Sequence, residues 1–166
     1  MVTYYTVFVI DVASRRVQIV GSTPHPHDVF MQQVVRTMTA ADDGLLIHHR
    51  VVICDRDTKW SAPVRAQLNE VGIRVVQAPY QAPNANADAE RFVRSIKDEC
   101  LSRVIPFGER HLRRTIAEYV EHYHRERNHQ GLDNALIDGT PQIDDVTQIR
   151  RRMRLGGLLN YYVRAA

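Results

Sequence analysis

Apolar and polar positions follow two periods along this chain. Thr3 to Ile10 is a run of β-branched and aromatic residues, which predicts a largely buried strand. Polar Asp11 to Arg16 interrupts it, and Val17-Gln18-Ile19-Val20 resumes with alternation, so two adjacent antiparallel strands are expected. Pro24 and Pro26 mark a loop. Val29, Met31, Val34, Val35 and Met38 then recur at helical spacing, with Asp28 expected as the N-cap and Gly44 as the close of the element. Val51 to Cys54 reads as a short apolar strand that runs into charged Asp55-Arg56-Asp57. Ala62 to Val71 reads as an amphipathic helix stopped by Gly72, and Ile73 to Val76 as another strand. Two prolines and two asparagines between Pro79 and Asn86 predict a mobile loop. Helical periodicity runs from about Ala87 to Val104 and again from about Glu109 to Arg125. Strands interspersed with helices predict an α/β sheet with helices on its faces.

Composition narrows the classes. The 166 residues, 44% hydrophobic and 25% charged, fit one globular domain with a real core and argue against disorder or a collagen repeat. Two cysteines, Cys54 and Cys100, support neither a disulfide framework nor a Cys-rich zinc site. His25 and His27 flank prolines and His48-His49 adjoin a strand, so no two-cysteine, two-histidine spacing emerges. The longest apolar runs are far too short to span a bilayer, and no basic-then-apolar leader opens the sequence as given. A cytoplasmic protein with no membrane partner is expected. The net charge of +3 is a weak pointer to a polyanion, but the arginines are unevenly placed. They cluster at Arg113, Arg114, Arg125 and Arg127, and again at Arg150, Arg151, Arg152 and Arg154, with no acid after Asp145. Such runs read equally as solvated faces.

The sharpest chemical feature is a pair of carboxylates. Asp55 follows an apolar strand, and Glu90 opens a long helix 35 residues later. Open α/β sheets place ligands beyond the carboxyl ends of their strands. Carboxylate oxygens are the hard ligands that Mg²⁺ and Mn²⁺ take. Two such ions about 3.5–4 Å apart activate a water or a 3′-hydroxyl and stabilise the leaving oxygen of a phosphodiester. Read alone, Asp55 is better explained as a turn residue after a strand and Glu90 as a first-turn acid favoured by the helix dipole. Arg94 and Lys97, four and seven residues after Glu90, share its helix face and suit phosphates, although a Glu90–Arg94 ion pair explains the first spacing as well.

Several separated blocks resemble one family. They are Val9-Ile10-Asp11-Val12-Ala13-Ser14-Arg15-Arg16-Val17, Cys54-Asp55-Arg56-Asp57-Thr58-Lys59-Trp60, Ala82-Pro83-Asn84-Ala85-Asn86-Ala87-Asp88-Ala89-Glu90-Arg91-Phe92-Val93, Glu99-Cys100-Leu101 and His122 to Leu132. In this order they resemble the catalytic core of bacterial insertion-sequence transposases and retroviral-type integrases. The resemblance implies an RNase H-like mixed sheet flanked by helices. It also implies two aspartates and a glutamate holding two Mg²⁺ or Mn²⁺ ions for DNA strand cleavage and transfer. Asp55 matches the second aspartate and Glu90 the glutamate. Arg91, Arg94 and Lys97 match basic positions that approach DNA, and Pro79 to Asn86 the flexible loop beside the site. DNA and a homo-oligomer or full-length transposase are the implied partners.

Asp11 is a doubtful third ligand. It matches a second-strand position of the family pattern, and 44 residues to Asp55 are too few for the family's interval between aspartates. The expectation is an N-terminally truncated core over residues 1–135 that lacks the first, central strand and its aspartate, followed by a basic tail over 136–166. Strands around Val7 and Ile53 would each lose a ladder. Leu155 to Tyr162 resembles the natural ending of one subgroup. Asp57, two residues after Asp55, is a second doubtful ligand, and Asp88 adds a further carboxylate near Glu90. The functional expectation is DNA integration or transposition. The alternative is an inactive remnant that binds DNA or a full-length partner, and whether the chain is an enzyme stays open.

Overall fold

The computed structural model describes residues 2–80, 83–139 and 148–165. The order is β1 (Tyr5–Ile10), β2 (Val17–Thr23), α1 (Asp28–Met38), β3 (Val51–Cys54), α2 (Ala62–Glu70), β4 (Arg74–Gln77), α3 (Ala87–Ile96), α4 (Gly108–Arg125), β5 (Gln148–Arg154) and β6 (Leu159–Ala165). The chain divides into two compact units, Met1–Val9 with Ile19–Glu90, and Ile10–Gln18 with Arg91–Ala166.

In the first unit, the apolar stripe of α1 (Met31, Val34, Val35, Met38) is buried. It packs with Val64 and Leu68 of α2, Leu46 and Ile73, and with the half-buried Val7, Val9, Val20, Val52 and Val75 of the strands. Strands β3 and β4 run parallel with Val52 opposite Val75, as a strand–helix–strand crossover requires. Helix α2 ends in a glycine cap. Gly72, at φ +81, lets its own N–H reach Asn69 O at 2.9 Å and the Ile73 N–H reach Leu68 O at 3.0 Å.

The second unit is built on α4. Its face Leu112, Thr115, Ile116, Tyr119, His122 and Tyr123 is buried, and Phe92 of α3 meets Tyr123 edge-on at 5.1 Å between ring centroids. A π-helical turn, Lys97–Leu101, continues α3. Strands β5 and β6 form an antiparallel hairpin through the turn Leu155–Gly157.

The mixed α/β character holds, and the sheets of the described residues are small. The described strands make three separate two-stranded sheets, and β1 and β3 each pair on one side only. Strand β1 is half-buried rather than largely buried, and β3 alternates, with Val51 41% and Ile53 47% exposed. A sheet covered on one face buries every second residue, whatever the hydrophobicity of the others. Asp28 is the first helical residue instead of the N-cap. His27 holds the extended cap conformation, and the Asp28 carboxylate instead accepts a 3.2 Å hydrogen bond from Ser61 Oγ. The helix closes at Met38 and not at Gly44, which sits in a following turn where its N–H donates to Ala40 O. Regular helix α3 stops at Ile96, short of Val104. The expected loop over 79–86 contains the 3-10 turn Pro83–Asn86, and residues 81 and 82 lie outside the described ones. Residues 148–165, expected as part of a basic tail, are a folded hairpin.

Candidate metal and DNA site

Strand β3 delivers its apolar side chains up to buried Cys54 and then turns, leaving Asp55 exposed. One Asp55 carboxylate oxygen accepts the Asp57 N–H at 3.2 Å, a local turn that orients the group without consuming its second oxygen. Asp57 is differently placed. Its Oδ2 takes the Lys59 ammonium at 2.6 Å and its Oδ1 the Lys59 N–H at 2.9 Å. Those hydrogen bonds from Lys59 hold the Asp57 carboxyl below its ordinary value, so it is committed as a turn and ion-pair residue.

Strand β3 packs against the 3-10 turn Pro83–Asn86, which runs directly into α3. The strand that ends just before Asp55 therefore lies against the turn from which the helix of Glu90 starts. Glu90 is exposed in the first turn of α3, where the helix N-terminus favours a carboxylate. Among the described residues no ion pair joins it to Arg94, so the i,i+4 spacing does not serve an internal salt bridge. Arg94 and Lys97 are exposed while Phe92, Ser95 and Ile96 are buried. The helix thus divides into a packed face and a charged one. Arg91 also lies at the surface, with its guanidinium beside Gly131 in the second unit.

Asp11 takes part in a local turn. Its Oδ1 accepts both the N–H and the hydroxyl of Ser14 at 2.6 Å, and its own N–H donates to Arg16 O. It builds the β1–β2 turn. Among the described residues no three His, Cys, Asp or Glu side chains come together as a metal-holding group.

The conspicuous polar chemistry of the second unit is structural. Glu99 accepts the Tyr119 hydroxyl at 2.9 Å and the Arg127 guanidinium at 2.8 to 3.1 Å. Burial pushes the Glu99 carboxyl up, and the hydrogen bonds from Arg127 and Tyr119 more than offset it, so its pKa lies below the ordinary value. Burial, then the Glu99 charge and hydrogen bond, push the Tyr119 phenol well above its ordinary range. Glu126, almost fully enclosed, accepts Arg154 at 2.9 Å and pairs with His122 at 3.0 Å. Only the end of the sequence carries the signal for that contact, an arginine with no local acid.

The model of the integrase core domain family matches residues 71–136. Over this segment the chain is similar to integrase cores. It spans β4, α3 and α4, and so contains Glu90, Arg91, Arg94 and Lys97, while Asp55 lies before it. No curated protein matches the chain. Proteins of the integrase core family generally depend on divalent metal, bind DNA and oligomerise. No helix among the described residues is long and apolar enough to cross a membrane.

The donor set suits that metal in kind. Asp55 and Glu90 offer hard carboxylate oxygens. Mg²⁺ is commonly held by one or two carboxylates, with water and substrate phosphate completing its shell. These two could hold such an ion, which would supply electrostatic stabilisation of a developing oxyanion.

Proposed function

We propose that this chain is the catalytic-core part of a DNA integration or transposition protein, cutting and joining DNA strands with a divalent metal held by Asp55 and Glu90. The observation that carries the reading is the integrase-core match over 71–136, within which Glu90 stands exposed and without an ion-pair partner on the charged face of α3. Arg94 and Lys97 follow on the same helix and suit phosphate contacts, which fix DNA without reading its sequence. Arg91 is a third candidate for that role.

The test is a strand-cleavage and strand-transfer assay on duplex DNA with Mn²⁺ or Mg²⁺, paired with thermal melting in the same ions. The intact chain is expected to be active and to gain stability with Mn²⁺, because an ion that binds only the folded state stabilises it. Asp55→Asn and Glu90→Gln should each lose activity by about 10²-fold or more and lose the Mn²⁺ response. An equal Mn²⁺ response in both variants would sink the metal assignment.

A second reading has one observation in its favour: among the described residues no three His, Cys, Asp or Glu side chains gather as a metal-holding group. On it, the chain binds DNA or a full-length partner without cutting. DNA binding with no metal-dependent cleavage would be its signature.

A further inference from the structure

Strand β5 carries four arginines in seven residues, Arg150, Arg151, Arg152 and Arg154. Strand alternation puts Arg150, Arg152 and Arg154 on one face and Ile149, Arg151 and Met153 on the other. The hairpin is fixed at its turn end. Arg154 is clamped on Glu126, with its side chain only 20% exposed, and the Leu155 N–H donates to Glu118 Oε2 at 3.1 Å. Glu118 lies on α4 and Glu126 is the residue that caps its C-terminus. Away from that anchor β5 is exposed, with Arg151 donating to Met153 Sδ at 3.0 Å, while Tyr161 and Val163 of β6 are half-buried. Every residue from Gln148 to Met153 is exposed, and among the described residues no carboxylate pairs with Arg150 or Arg151. Arg152 reaches Glu126 only at 4.0 Å with its side chain 60% exposed. Opposite Arg151 stands Tyr162, 64% exposed, flanked by Ile149 at 72% and Met153 at 56%.

We propose that this anchored ribbon is a duplex-DNA-binding arm, in which Arg150, Arg151 and Arg152 take backbone phosphates and Tyr162 packs against the sugars. A two-stranded β-ribbon fits the major groove. Guanidinium forks bind phosphate in a bidentate manner. Charge projecting from both faces of one strand suits an extended polyanion better than a single acidic side chain. The arm uses none of Asp55, Glu90 and α3, and it shares with the proposed function only the class of ligand.

The experiment is fluorescence anisotropy of the full chain with a labelled random-sequence duplex of about 20 base pairs, from about 50 to 200 mM salt. EDTA is present throughout, so metal-dependent chemistry does not enter the readout. The triple variant Arg150→Ala/Arg151→Ala/Arg152→Ala should bind about tenfold or more weakly, and its log–log salt slope should be shallower by up to about 2.7. Its melting temperature serves as the fold control. The matching triple Lys variant, which keeps the charges, should retain most of the slope. Unchanged affinity and slope in the Ala variant overturn the proposal, as does a Lys variant as weak as the Ala one. Displacement of the duplex by polyglutamate of equal charge overturns the choice of DNA as the ligand.

Discussion

At Glu99 one carboxylate joins two segments that are 28 residues apart, the π-turn after α3 and the end of α4. Replacing it with Gln removes the charge facing Arg127 and weakens the acceptor of the Tyr119 hydroxyl. A cost of about 1–3 kcal/mol is expected, read as a lower urea midpoint with an unchanged m-value. Gly44→Ala tests a different cause. A Cβ there would overlap the carbonyl oxygen of Ala40 and come within 2.6 Å of its nitrogen, both backbone atoms of the turn after α1. The turn must shift, and a loss of about 1–3 kcal/mol is expected in the same measurement; a neutral result would contradict the close approach. At this scale the sequence was partly legible. Gly72 announces itself as a helix stop because its φ of +81 suits no other residue so well. Asp28 and Asp11 do not reveal their roles, since an acid near a turn suits a cap, a ligand or a turn bond, and only the positions of Ser61 and Ser14 decide.

Among elements, α1 and α2 share one apolar layer, and Leu68, fully buried, lies in it. Leu68→Ala should cost about 2–5 kcal/mol through lost burial and a residual cavity, visible in chemical denaturation. The hairpin depends on a polar anchor instead. Arg154→Ala removes the clamp on Glu126 and leaves an enclosed carboxylate with only His122 and the distant Arg152. Hydrogen exchange should then show faster exchange of the β5 and β6 amides while the α4 amides near Tyr119 keep their protection. Helix periods made α2 and α4 readable to within a residue or so and located the start of α1, because an amphipathic stripe is a local property. The hairpin was hidden in the same sequence. A run of arginines has no apolar alternation to betray a strand, and its pairing partner lies beyond a turn that places Leu155, Gly156 and Gly157 at positive φ.

Across the whole chain, acid should weaken the second unit in two stages. The Val17 N–H donates to His124 Nε2, which must then be unprotonated. Burial, then the Arg16 charge, hold His124 below the ordinary imidazole value of 6.5. His129, lowered chiefly by burial, behaves alike. The unfolded chain takes up protons at these rings first, so stability is full above about pH 6.5 and falls as the pH drops toward their folded values. Glu99, Glu118 and Glu126 are lowered below 4.5 by their partners despite burial, so they stabilise above that pH and lose the effect beneath it. Melting temperature against pH should therefore decline below about 6.5 and again below about 4.5. His124→Gln, which keeps an acceptor for Val17, should flatten the upper limb and leave the lower one. The division into two units adds a further expectation for Leu68→Ala. Amide protection in residues 19–78 should fall by more than that in α4.

By itself the sequence determined the α/β class, most helix positions and the family-like blocks around Asp55 and Glu90, because periodicity and short motifs are local. Tertiary structure decided the rest. It split the strands into three small sheets, gave Asp11 to a turn and Asp57 to Lys59, and set Glu90 apart from Arg94. It also turned a basic run into a clamped ribbon, through a glutamate 28 residues away from Arg154. Strand partners, turn bonds and buried ion pairs depend on which distant groups the fold brings within about 3 Å, and nothing in a residue's own neighbourhood along the chain records that distance.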